Sequence, residues 1–432
     1  MKIQELAQAA KQASIKLAAS GADLKNGALK EIARALEASS EKITAANRED
    51  LSRSEKEKLA APLLKRLKFD EQKIKETVEG INSLISLPDP VGKTMMATEL
   101  DSGLDLYKVT CPIGLIGVIF ESRPDALVQI STLCLKSGNA VLLKGGSEAI
   151  ETNRALADVI VSATLKAGIP EGWLQLLETR ADVKEMLTLD RHIDLIIPRG
   201  SNEFVKYIMD NSNIPVLGHA DGICHCYVDA EADLDMAVSI VVDSKTQYVA
   251  VCNAAETLLV HADAADAFLP KIRAALEAKH VSLVGCDRTR NIIDVPPATE
   301  EDWKTEYLDY RLSIKVVESL DRAIEHINTY GSGHTDSIIT ANSAAAGTFM
   351  ELVDSGNVFW NCSTRFSDGF RYGFGAEVGI STNKIHARGP VGLDGLLIYK
   401  YKLVGSGQIV ADYSAGTKKF THRKLDRDFP VT

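Results

Sequence analysis

Apolar residues in the first ninety positions recur at intervals of three and four. Ile3, Leu6, Ala7, Ala10, Ala13 and Leu17 form one such series, and Leu29, Ile32, Ala33 and Leu36 form another. That spacing predicts amphipathic helices packed as a layer. The mixed-sign run Glu55-Lys56-Glu57-Lys58 reads as a solvated helix face. From about residue 105 the period shortens to two: Leu106, Lys108 and Thr110 alternate with Tyr107, Val109 and Cys111, as in an exposed strand. Residues 113–120, Ile-Gly-Leu-Ile-Gly-Val-Ile-Phe, are an unbroken apolar run, expected as a strand buried on both faces.

The chain then repeats one theme. Strands are expected at Ala140–Lys144, Trp173–Leu177, Asp194–Pro198 and Pro215–Leu217, with helices at Ala126–Lys136, after Gly146, around Val183–Leu187 and at Glu203–Asn211. A second series begins near Cys226 and continues with a helix carrying Asp235, Met236 and Ile240. It goes on through Gln247–His261, a helix over 263–279, and strands at Val281–Val284 and Leu312–Val317. A helix at Leu320–Asn328 and segments at 331–339 and 357–361 complete it. Alternating strands and helices predict parallel, doubly wound sheets. The expected architecture is α/β: two doubly wound domains, cofactor and catalytic, plus a small β arm for oligomerisation. The boundaries are 1–100 with 112–225 for the first domain, 226–388 for the second, and 101–111 with 389–432 for the arm and tail. Gly369–Gly375, rich in glycine and aromatics, reads as a loop over a cleft, and the polar tail from Gly416 is expected to be mobile.

Composition narrows the function classes. A chain of 432 residues with 45% hydrophobic and 25% charged residues is an ordinary soluble globular protein. Its formal charge of −10 argues against nucleic acid as a partner. Seven cysteines, an odd number, do not form a disulfide framework. No window reaches the ~20 apolar residues of a membrane span, and the N-terminus lacks the apolar segment of a secretory leader, so a cytoplasmic protein is expected.

The candidate chemistry centres on Cys252. It precedes two small residues and an apolar run, as for a reactive thiol on a turn; a packed core cysteine is the alternative. Lys144-Gly145-Gly146-Ser147 and Arg199-Gly200-Ser201 each follow a buried strand and open a helix, which presents free N–H groups to an anion. Neither has the G-x-G-x-x-G spacing of the regular dinucleotide fingerprint. Ser122 and Arg123 fall at the carboxyl end of a strand, where α/β sheets bind ligands; Arg123 reads equally as a surface ion pair. His219, Cys224, His225 and Cys226 include metal-binding residue types, but Cys-His-Cys alternates along a strand and cannot converge on one ion. No metal is expected.

The segments CPIGLIGVIFESRPD, LLKGGSEA, DLIIPRGS, VCNAAETLLVH, GNVFWNCSTRFSDGFRYGFGAEVGIST and HARGPVGLDGL resemble, in order, the aldehyde dehydrogenase superfamily, between about 105 and 395. The resemblance is nearest to its branch that reduces an acyl phosphate. It implies that Cys252 attacks L-glutamate 5-phosphate and leaves a thioester, which NADPH reduces to glutamate 5-semialdehyde for proline biosynthesis. It further implies that Lys144 contacts the adenosine ribose. Gly200 and Ser201 would form the turn under the pyrophosphate, and Glu306 would meet the nicotinamide ribose; Glu306 also reads as a surface carboxylate. Ser147 stands where many relatives have a glutamate that binds both ribose hydroxyls, which favours NADPH over NADH. His219 stands where hydrolytic members carry their water-activating glutamate. The asparagine donor of the oxyanion site is absent, with Ser122 nearest to it. Arg123, Asn361 and Arg365 are candidate contacts of the substrate. A homo-oligomer, dimer or tetramer, and coupling to glutamate 5-kinase are also implied. The alternatives are another NAD(P)-dependent aldehyde dehydrogenase of the same fold, or a thiol hydrolase with a histidine base.

Overall fold

The structure is a computed structural model that describes residues 2–59, 61–178, 180–219, 221–375 and 377–430. Among these, sixteen strands occur in chain order. They are β1 (Thr94–Asp101), β2 (Leu104–Pro112), β3 (Leu115–Phe120), β4 (Ala140–Lys144), β5 (Leu174–Leu177), β6 (Leu195–Arg199), β7 (Cys224–Val228) and β8 (Ala255–His261). After them come β9 (Ser282–Gly285), β10 (Arg311–Val317), β11 (Thr335–Ile339), β12 (Asn357–Trp360), β13 (Gly379–Ser381), β14 (Gly389–Val391), β15 (Leu397–Val404) and β16 (Arg423–Lys424). The chain forms two compact units. One comprises Met1–Gly200, Ile208–Val216 and Gly392–Thr432; the other comprises Ser201–Tyr207 and Leu217–Val391.

In the first unit, helices Ile3–Leu17, Ala22–Ala38, Ser40–Lys56 and Glu71–Ser86 bury the periodic positions read from the sequence, with Leu6 only half-buried. A parallel sheet runs in the order β5-β4-β3-β6. Every residue of β3 and β4 is buried, as their unbroken apolar runs require. Helices Pro124–Lys136 and Ile150–Lys166 follow these two strands. Pro124 stands in the first helical turn, where a missing N–H costs nothing. Residues 215–217 form no strand of their own; Val216 makes a single parallel bridge to Ile196.

The expected arm is a four-stranded antiparallel sheet, β15-β2-β1-β16. β15 pairs with β2 from Leu397↔Pro112 to Val404↔Asp105, so residues from both segments of the expected arm, 101–111 and 389–432, lie side by side. Two of its strands depart from expectation. Residues 94–101, for which no element was expected and which fell almost wholly within the first domain, are strand β1. The tail is held in place, because β16 pairs with β1 while Leu425 and Phe429 pack against Ala97, Tyr107 and Val109. Ion pairs from Arg423 to Glu99 and from Arg427 to Asp105 add polar contacts to the same segment.

The second unit is a six-stranded sheet, β12-β11-β7-β8-β10-β9, with every pair parallel. β7 lies wholly inside this unit, between β8 and β11, so the boundary expected at 225 falls earlier, near Leu217. Its core gathers Cys226, Val228, Leu258, Val260, Phe268, Leu269 and Ile314 around helices Leu234–Thr246 and Ala262–Glu277. In a parallel sheet all the amino ends lie along one edge. The segments entering β7, β8 and β11, which are neighbours in space, therefore meet there.

Candidate active site

Cys252 lies three residues before β8, in the turn that follows helix Leu234–Thr246. Two residues bracket this turn. Lys245, in the last turn of the helix, donates to Glu256 on β8 at 2.6 Å, and both side chains are completely buried. Burial lowers Lys245 and lifts the Glu256 carboxyl to about 7, against the attraction between them. Within the turn, Thr364 Oγ1 donates to the Asn253 carbonyl at 2.7 Å, and Asn253 Nδ2 donates to the Ser367 carbonyl at 2.7 Å. The Cys252 carbonyl accepts from Cys224 Sγ at 3.1 Å. Gly222 packs directly on it, since a Cβ there would stand 2.2 Å from Cys252 O and 2.4 Å from its Cα. The thiol turn is thus held on three sides.

Cys252 is half-buried, whereas Cys134, Cys224 and Cys226 are fully buried. Burial pushes those three thiols up, Cys226 to about 12, so they stay protonated and inert. Two histidines stand beside Cys252. Sγ and one ring nitrogen of His219 and of His334 lie within 4.8 Å of one another. The two imidazoles meet edge to face at 4.9 Å between centroids. His219 lies five residues before β7 and His334 immediately precedes β11, so both come from segments that lead into the sheet at the edge where Cys252 lies. At such a separation a histidine is a candidate proton acceptor for the thiol, directly or through one water.

His219 was a sequence candidate; His334 was not. Its signal was present in Gly331-Ser332-Gly333-His334, a polar, glycine-flanked turn before a strand. Only the order of the strands shows that this turn faces the thiol. Of the histidine and cysteine run on β7, none joins the group of three, and His225 instead contacts Asp336 at 2.9 Å.

Glu306 is half-buried, and burial lifts its carboxyl despite donation from Asn202 Nδ2 and the Gly222 N–H. Contact with Gly222, which packs on Cys252, puts it beside the thiol turn. Arg365 is buried, with Nε donating to Gln247 Oε1 at 2.9 Å. Burial lowers it, as does the neighbouring Arg371, and Cys252 lies within its electrostatic reach. Asn361 has a different place, since both ends of its amide bind the Thr340 backbone, at 2.9 Å each.

The remaining candidates lie in or at the end of the first unit. Lys144 ends β4, is buried, and donates to the Gly145 carbonyl. Ser147 opens the short helix Ser147–Ala149, and Gly200-Ser201 lead from β6 into helix Asn202–Asn211. A Cβ at Gly145 would stand 2.2 Å from Asn153 Nδ2, so the backbone here is drawn tightly onto the following helix. The Asn153 Oδ1 is buried without a partner. A tight glycine turn, an ammonium and an unsatisfied amide together suit the ribose and phosphate of a dinucleotide. Arg123 immediately precedes helix Pro124–Lys136 and is half-buried. Ser122 is occupied: its N–H and hydroxyl both donate to Glu148 Oε1, at 2.5 and 2.8 Å.

Residues 1–310 match the model of the aldehyde dehydrogenase family. The chain belongs to the aldehyde dehydrogenase family. Its full-length relatives include the γ-glutamyl phosphate reductase of Acetivibrio thermocellus, 71% identical over 431 residues and covering 100% of each chain. That of Pelotomaculum thermopropionicum is 70% identical, over 100% of this chain and 99% of the other. A solved γ-glutamyl phosphate reductase from Thermotoga maritima superposes with a TM-score of 0.93 at 42% identity, covering 95% of this chain and 100% of that one. This chain is accordingly an oxidoreductase of that family, in company with γ-glutamyl phosphate reductases. No described helix is long and apolar enough to cross a membrane.

Proposed function

We propose that this aldehyde dehydrogenase reduces L-glutamate 5-phosphate to L-glutamate 5-semialdehyde and phosphate, with NADPH, as a cytoplasmic step of proline biosynthesis. The observation that carries the reading is the half-buried Cys252, in a hydrogen-bonded turn beside two imidazoles, in a chain whose relatives are γ-glutamyl phosphate reductases. Cys252 Sγ gives up its proton and attacks the acyl carbon; the C–O bond to phosphate breaks, and a thioester remains. Bound NADPH would supply the hydride for this thioester, and the Cys252 thiolate would be released as the aldehyde forms. Arg365 is suited to the anionic end of the substrate, because its guanidinium is buried beside the thiol turn.

Lys144 and the turn Gly200-Ser201 are suited to the ribose and pyrophosphate of the cofactor, and Glu306 to its nicotinamide ribose. Ser147 brings no carboxylate to the site of a 2′-phosphate, which supports NADPH. His219, in place of a water-activating glutamate, supports phosphate rather than water as the partner of the thioester. Ser122 and Asn361 belong to the scaffold in this reading, since their donors are taken up by Glu148 and Thr340. The exposed side chains of β15, among them Tyr399, Tyr401 and Leu403, suit contact with a second subunit. The acyl phosphate is labile, so coupling to the kinase that makes it is part of the same proposal.

The test runs the reaction backwards with glutamate semialdehyde, phosphate and NADP⁺. NADPH should form in proportion to phosphate, and Cys252→Ser should abolish turnover. Sustained turnover without phosphate would overturn the reading.

A further inference from the structure

We propose that His219, Cys252 and His334 form a binding site for a divalent cation that prefers nitrogen and sulfur ligands, zinc above all. The three donor atoms lie within 4.8 Å of one another. In a tetrahedral site, Zn–S near 2.3 Å and Zn–N near 2.0–2.1 Å put the ligands about 3.3–3.6 Å apart. The set contains a thiol and two imidazoles and no carboxylate, which favours zinc, cobalt or copper over magnesium or calcium.

The outer partners of the two rings fit the same role. His219 Nδ1 lies 2.9 Å from the Ile380 carbonyl, which can only accept, so Nδ1 carries the hydrogen and Nε2 keeps its lone pair. A histidine that binds a metal commonly donates its second nitrogen to a backbone carbonyl in this way. His334 Nδ1 lies 2.8 Å from Thr335 Oγ1, whose two lone pairs can accept both it and Asn357 Nδ2. His334 is fully buried, and its Nε2 has no partner. A buried orphan nitrogen in a native core calls for an explanation, and a cation supplies one.

On binding, the Cys252 S–H bond breaks and its proton goes to solvent as the S–Zn bond forms; nothing is oxidised or reduced. The sulfur lone pair is then held by the metal, and a fourth position is left for water. Loss of turnover rests on Cys252 being the nucleophile; binding does not.

Cobalt(II) is the probe, titrated into the full-length protein and displaced by zinc. A thiolate-to-cobalt charge-transfer absorption should appear, be absent in Cys252→Ser, and be removed by zinc. Zinc should inhibit turnover, and a chelator should restore it. His219→Gln and His334→Gln should each weaken zinc inhibition, measured against that variant's own zinc-free rate, by at least about 10²-fold, since even outer partners of a ligand are worth about 10–100-fold. His219 is half-buried, so its variant keeps the test usable if His334→Gln does not fold. No charge-transfer absorption at saturating cobalt, or unchanged zinc inhibition in the histidine variants, would overturn the site. An absorption with undiminished turnover would uphold the site and remove Cys252 from its role as nucleophile.

Discussion

The buried pair Lys245–Glu256 spans the Cys252 turn, so replacing Glu256 with leucine should be felt both in stability and at the thiol. The pair is 2.6 Å apart with no exposure on either side. Removing one partner strands the other, at a cost of about 3–5 kcal/mol, or roughly 10²- to 10⁴-fold in the folding equilibrium. Loss of the weak bond from the Leu308 N–H at 3.4 Å adds to this. The double variant Lys245→Met with Glu256→Leu should recover most of the loss, because a well-packed apolar pair of similar volume is close to neutral. The two single variants and the double form a cycle, read by calorimetry or urea titration. The alkylation rate of Cys252 by iodoacetamide reports on the turn itself, and kcat should fall at least tenfold in the single variant. A misplacement of about 1 Å at a reacting group is worth about 10²-fold. A single variant costing under ~1 kcal/mol, or a double variant no better than the single, would refute the idea that this pair anchors the turn.

Three other perturbations reach different parts of the account. Gly222→Ala would drive a Cβ to 2.2 Å from the Cys252 carbonyl, where only backbone can yield, so kcat should drop about 10²-fold while circular dichroism stays near wild type. Ser147→Glu should raise the KM for NADPH at least tenfold and leave NADH within a few-fold. At ~4 Å a carboxylate and a 2′-phosphate repel by up to about 4 kcal/mol at an effective dielectric near 20; equal effects on both cofactors would argue against Ser147 near the ribose. Asp302 is held down to about 2, since hydrogen bonds from Thr299, Tyr307 and Arg311 outweigh its burial. It therefore contributes about 2 kcal/mol above its unfolded value of about 4, and this is lost as pH falls from about 4 toward 2. Asp302→Asn should flatten that part of the stability curve.

Much of the fold was legible because its elements are locally consistent. The 3.6-residue period of Ile3–Leu17 and the apolar runs of β3 and Ala140–Leu143 each admit one simple placement. β1 was hidden because Thr94–Asp101 carries exposed Met95 and Met96 beside buried Ala97, a weak alternation next to strongly helical neighbours. The placement of the tail was hidden because its partners, Ala97 for Leu425 and Phe429, and Glu99 and Asp105 for Arg423 and Arg427, are more than 300 residues away in sequence. Cys252 stood out through its turn and motif, but the residues beside it did not. Its companions approach from the amino ends of β7 and β11, so their meeting depends on strand order, which periodicity does not encode. Rules that look for ligands at the carboxyl ends of strands point away from this edge.

The central claim is that Cys252 carries the acyl group. Its most direct test is the intact mass of the enzyme mixed with glutamate semialdehyde and NADP⁺ in phosphate-free buffer, followed by peptide mapping. One equivalent of NADPH should form in a burst, with the glutamyl acyl adduct on the peptide bearing Cys252, and phosphate should then release it. NADPH formation with no adduct on that peptide, or an adduct that phosphate leaves in place, would contradict the account.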